Sequence, residues 1–114
     1  MAESIAPYDL TLVRGDTFER RTFVMEFEDG SHVDFTGYTV LAQVRPAANA
    51  PLVLLEFTSG IDENGDPFIE ASSADTTATG PIPKGVWDLQ MTSPAGRTRT
   101  YMAGDVTIVQ DVSH

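Results

Sequence analysis

No segment of this chain keeps apolar residues at helical spacing through three turns. Short alternating runs are instead broken by Gly, Asp, Asn and Pro about every ten residues. A chain punctuated this often can bury apolar surface only as a set of short strands. Its connections are too short for the crossover helices that a parallel sheet needs, so the pattern predicts antiparallel pairing.

The runs can be placed one by one. Leu10-Thr11-Leu12-Val13 is a short strand closed by Arg14-Gly15-Asp16. Residues 17–27 form the longest expected strand, with Phe23, Met25 and Phe27 on one face, and Glu28-Asp29-Gly30-Ser31 is a hairpin signal. A break at Asp34-Phe35-Thr36-Gly37 precedes a strand over 38–45, where Val40, Ala42 and Val44 alternate with Leu41, Gln43 and Arg45. After the proline-bracketed loop 46–51, strands are expected over 52–58 and 68–71, separated by a polar turn region. Residues 72–85 read as irregular, with one helical turn capped by Ser72 or Ser73. Residues 86–92 then alternate cleanly, with Trp87, Leu89 and Met91 opposite Asp88 and Gln90, and Ser93-Pro94-Ala95-Gly96 turns the chain. Two closing strands, 97–103 and 106–112, flank Gly104-Asp105. The expectation is an all-β, Ig-like antiparallel β-sandwich of roughly seven to nine short strands. Residues 1–7 read as a flexible N-terminal arm and 8–113 as one domain. The expected core is Leu12, Phe23, Met25, Val40, Ala42, Val44, Phe57, Trp87, Leu89, Met91 and Ile108.

Composition narrows the functions. The 114 residues suit one domain, and the absence of cysteine excludes disulfides, thiolate nucleophiles and Cys-based zinc sites. A net charge of −10, with only Arg20 and Arg21 adjacent among the basic residues, argues against nucleic acid. No apolar run approaches the ~20 residues of a membrane span, and the N-terminus lacks a secretory pattern, so no membrane partner is expected.

Five landmarks in order carry a resemblance. Leu10 to Thr17 holds an L-x-R-G-D-T-type opening, and Asp34-Phe35-Thr36-Gly37-Tyr38 precedes Val40-Leu41-Ala42-Gln43-Val44-Arg45. Ser73-Ala74-Asp75-Thr76-Thr77 follows, then Pro83-Lys84-Gly85-Val86-Trp87-Asp88-Leu89-Gln90, and lastly Gly104-Asp105-Val106-Thr107-Ile108 with the Asp111-Val112-Ser113 tail. Over residues 10–113 the chain resembles small structural proteins of tailed-phage tails and baseplates, in particular the N-terminal particle-anchoring domain of baseplate upper proteins. The resemblance implies a non-enzymatic virion component, made in the host cytoplasm and held by other virion proteins as a symmetric homo-oligomer. With the sequence ending after this domain, no receptor-binding extension is expected, which favours an adaptor, plug or decoration role over host recognition. A capsid decoration protein is the alternative within this class. A carbohydrate-binding or adhesion module is the alternative outside it, and would need Tyr8, Phe35, Tyr38, Phe68 and Tyr101 to form an exposed flat platform.

Chemistry-bearing motifs read mostly as structure. Arg14-Gly15-Asp16 matches an adhesive tripeptide, but it serves equally as the turn after the first strand. Asp62, Asn64 and Asp66 have the alternate spacing of a calcium loop and form the calcium candidate. Pro67 stands where that loop needs glycine and Ser73 where it needs glutamate, so a polar turn is the better reading. His32 and His114 lack a second histidine at ligand spacing. No nucleophile elbow or phosphate loop is present, so neither catalysis nor a cofactor is expected. Asp88, in mid-strand beside Trp87, is read as solvated on the outer face. The sharper reading makes it an interface carboxylate paired with Arg14 or Arg45. The interface candidates are Tyr8, Arg14, Arg45 and Asp88.

Overall fold

A computed structural model describes residues 6–110. The expected arm of residues 1–7 therefore lies mostly outside the described residues, as do the Asp111-Val112-Ser113 tail and His114. In chain order the elements are β1 (Ala6–Pro7), β2 (Leu10–Val13), β3 (Phe18–Thr22), β4 (Thr39–Arg45), β5 (Leu55–Glu56), β6 (Thr58–Ile61), β7 (Pro67–Ala71), α1 (Ser73–Thr77), β8 (Lys84–Thr92) and β9 (Thr98–Val109). One sheet runs β1-β9-β8-β4-β5 with β2 also on β9, and the other runs β3-β7-β6. In chain order β3, β7 and β6 stand as strands B, E and D, while β4, β5, β8 and β9 stand as C, C′, F and G. The topology is immunoglobulin-like.

Alternation dictates which side chains meet between the sheets. Along β8, Trp87, Leu89 and Met91 are buried while Val86, Asp88 and Gln90 turn outward. Leu10, Leu12, Ala42, Val44, Met102, Val106 and Ile108 complete the inner face of the large sheet, and Phe18, Ile69 and Ala71 face them from the small one. Trp87 sits at the centre, stacked on Phe23 at 6.1 Å and edge-on to Phe57 at 6.3 Å. Of the expected core, Met25 and Val40 are only partly buried and pack against it from the rim.

Five expectations are corrected. Pairing is not wholly antiparallel, because β1 and β2 run parallel to β9, with Leu10 opposite Val106 and Val13 opposite Val109. No crossover helix is needed, since these strands come from opposite ends of the described chain. Pro7, assigned to the arm, is thereby a strand residue opposite Ala103. The strand expected over 17–27 stops at Thr22, and Phe27 is 60% exposed, because β7 ends at Pro67 and offers nothing further to pair with. Residues 52–58 are not one strand. The chain changes sheets at Phe57, so β5 pairs with β4 and β6 with β7. Finally, Gly104-Asp105 does not break the last segment, and β9 passes through it without interruption.

Gly104 is needed there for another reason. A Cβ at this position would run into the carbonyl of Tyr8 and lie 2.8 Å from the Asp9 carboxylate. The segment between β1 and β2 presses on β9 at this point: the Tyr8 carbonyl accepts from Trp87 Nε1 at 2.6 Å, and Asp9 Oδ1 accepts from the Asp105 amide at 3.0 Å.

Candidate functional site

The register of the large sheet fixes which residues share its outer face. Gln43, Asp88 and Ala103 form one row across β4, β8 and β9, with Glu56 of β5 beside Gln43. Arg45, Val86 and Asp105 form the next row, and Lys84 and Thr107 the one after, with Thr11 of β2 beside Thr107. Leu41 lies on this face at one end and the Val13–Val109 pair at the other. Leu41, Val13 and Val109 are 40%, 39% and 45% exposed. A shallow hollow of about 370 Å³ lies over the middle, walled by Arg45, Val86, Asp88 and Asp105.

The polar groups here are unequally committed. Arg45 donates to Gln43 Oε1 at 2.6 Å, and Gln43 donates onward to Glu56 Oε1 at 3.1 Å. Arg20–Glu70 and His32–Asp66 are ion pairs among the described residues, whereas Asp88 is bridged to neither Arg14 nor Arg45. Arg45 and Asp88 nevertheless line the same hollow, unpaired, together with Val86 and Asp105, and Lys84 lines the depression beside it; sequence reasoning missed these last three. Lys84 and Asp105 had been placed in turns, and only the unbroken β9 and the earlier start of β8 bring them onto the face.

Tyr8 and Arg14 serve the fold instead. Tyr8 packs edge-on to Phe23 at 5.2 Å, and its hydroxyl accepts from Arg21 at 3.2 Å. Arg14 Nε donates to the Thr77 carbonyl at 3.1 Å. The buried Thr76 hydroxyl donates to the Asp16 carbonyl at 2.8 Å and accepts from the Gly15 amide at 3.1 Å. The Arg14-Gly15-Asp16 turn is thus clamped onto α1, whose Ser72 cap accepts from the Asp75 amide at 3.1 Å.

The calcium candidate forms a turn. Asp62 Oδ1 accepts from the amides of Asn64 and Asp66, each at 2.9 Å. Buried Asp66 meets His32 Nε2 at 2.5 Å. That hydrogen bond holds the His32 pKa above its ordinary value, against the opposing effect of desolvation and with help from the charges of Asp66, Asp34 and Asp62. Asp34 is lowered by the hydroxyl and amide of Thr36. Among the described residues, no three His, Cys, Asp or Glu side chains converge as metal ligands.

The aromatic platform does not assemble either. Phe35 is buried, and Tyr38 and Tyr101 meet it edge-on at 89° and 84°. Phe68 lies on the other sheet under the Arg20 guanidinium, 3.7 Å from its ring centroid.

No family model matches the chain, and no curated protein does. Among solved structures it is similar to the titin M3 domain, at 11% identity over 96% of this chain and 95% of that one, with a TM-score of 0.45. Strand order and register, not this likeness, define the fold.

Proposed function

We propose that the chain is a non-enzymatic bacteriophage virion structural protein, a tail or baseplate adaptor or anchoring module. What supports this reading is the ordered set of landmarks by which the sequence resembles such modules, several of which fall where this fold is most demanding. Arg14-Gly15-Asp16 is the turn clamped by Thr76, which itself belongs to the Ser73–Thr77 landmark. Gly85-Val86-Trp87-Asp88 supplies the central strand, and Gly104 makes room for Tyr8. Landmarks of this kind mark a shared architecture more than a shared pocket, which agrees with a structural role.

The broad outer face of the large sheet supports the same reading. It carries the exposed aliphatic residues Val13, Leu41 and Val109 around the half-buried Arg45 and Asp88, leaving a broad face open to another protein. The described carboxylates lie in turns or on strand surfaces, and Asp66, which is buried, is taken up by His32.

Gold-labelled antibody against this protein, applied to particles of the source phage, tests the proposal. Label at the tail tip is the expected result. Label over the head selects the capsid decoration role instead. Particles free of the protein, by label and by immunoblot of purified virions, overturn the structural reading.

A further inference from the structure

We propose that the outer face of the large sheet is a two-fold interface, and that its partner is a second copy of this chain. The inference adds a surface and a partner to the structural-module reading, but it stands on the sheet's own residues.

Val86 is the centre of a charge pattern. Along its row it is flanked by Arg45 on β4 and Asp105 on β9; along β8 it is flanked by Lys84 and Asp88. Neighbouring strands are about 4.8 Å apart, and every second residue of a strand about 6.6 Å, so the four charges form a nearly equal-sided diamond. The basic residues occupy two adjacent corners and the acidic residues the other two.

A two-fold axis lying in the face, passing through Val86 along the diagonal that separates Arg45 from Asp88, solves this pattern. It places Arg45 of each copy over Asp88 of the other, and Lys84 of each over Asp105 of the other, with the two Val86 residues on the axis across the hollow. Because that axis runs at about 45° to the strands, the two sheets cross at about 90°, one of the preferred geometries for stacked sheets. Axes along or across the strands instead set like charges over one another: Asp88 on Asp88 in the first case, Arg45 on Arg45 in the second.

Charge also argues for a second copy over an unrelated partner. The chain carries −10, so two copies repel unless they meet where the charge is balanced. The four corners of the diamond balance, and the diagonal axis exchanges its acidic corners for its basic ones, while Glu56, at the β5 edge of the same face, is held by Gln43. On the other sheet, Arg20 and Glu70 are already paired at 2.9 Å. The size is sufficient. Five strand positions by about seven residues give roughly 550 Å² per copy, or about 1,100 Å² in all, just above the ~1,000 Å² of a specific interface.

Sedimentation equilibrium of the purified chain is the test, with Arg45→Asp and Asp88→Arg as variants. The wild type is expected to be a dimer at about 100 μM. Each variant alone sets like charges together at both symmetric contacts, and its dissociation constant rises at least about tenfold. Mixing the two variants restores opposite charges at both contacts, and a heterodimer re-forms. A wild-type chain that stays monomeric overturns the proposal and leaves the face to a different protein. So does a mixture that stays monomeric while Trp87 fluorescence shows both variants folded. Virion labelling is independent of this result: a dimer absent from particles fails only the virion role, and a monomer present in them fails only this inference.

Discussion

At the scale of single residues, two contacts hold together parts of the chain far apart in sequence. Gly104 lets the Tyr8 carbonyl approach β9 closely enough to accept from Trp87 Nε1. Gly104→Ala puts a methyl group into that carbonyl, and the expected loss is about 2–3 kcal/mol of stability, read from the urea midpoint. Thr76 is the second. Its hydroxyl hydrogen-bonds the Asp16 carbonyl, the Gly15 amide and the Ser73 carbonyl. Thr76→Val keeps the shape but leaves buried partners unmet, with an expected cost of about 1–3 kcal/mol in the same measurement. Neither role was legible in the sequence. Gly104 beside an aspartate looks like any turn, and Thr76 looks like one polar residue of a short helix. Both depend on what the fold brings against them.

At the scale of elements, local alternation was legible and partnership was not. β8 stands where its pattern placed it, because Trp87, Leu89 and Met91 all need the same buried face. β3 was overextended because Phe23, Met25 and Phe27 continue to alternate after β7 has ended. The 52–58 run was read as one strand because its change of sheet at Phe57 leaves no mark in composition. Of the residues on the outer face, Arg45 and Asp88 lie where their mid-strand positions put them, while Lys84 and Asp105 are hidden behind glycines that resemble turns. Beyond β3 the chain turns back on itself, its backbone pairing Glu26 opposite His32 through the Phe27–Ser31 and Val33–Met25 hydrogen bonds, and the His32 side chain ties this loop to the turn before β7 through Asp66. The folded-state pKa of His32 is raised above 6.5. Its contribution to stability is therefore full below that pH and is lost as pH rises through the folded-state value. Stability should decline on this account as pH rises above 6.5 through the raised folded-state value, and His32→Gln should remove that part of the decline. Urea midpoints of both proteins across this range are the check; parallel curves would deny the pair a role.

At the scale of the whole molecule, the first strands are sealed by the last. Leu10 pairs with Val106 and Leu12 with Ile108, while β9 is paired on its other side along β8. Contacts so distant in sequence make folding slow, and stopped-flow refolding followed through Trp87 is expected in the millisecond-to-second range typical of β-sandwiches. A microsecond phase with full amplitude would contradict it. The same seam governs synthesis. While residues 98–109 are still inside the ribosome, β1 and β2 have no strand to lie against and Trp87 has only part of its enclosure. The nascent chain must therefore keep its apolar strands from associating with other chains until β9 has emerged, and the excess of carboxylates spread along it supplies the repulsion that does so.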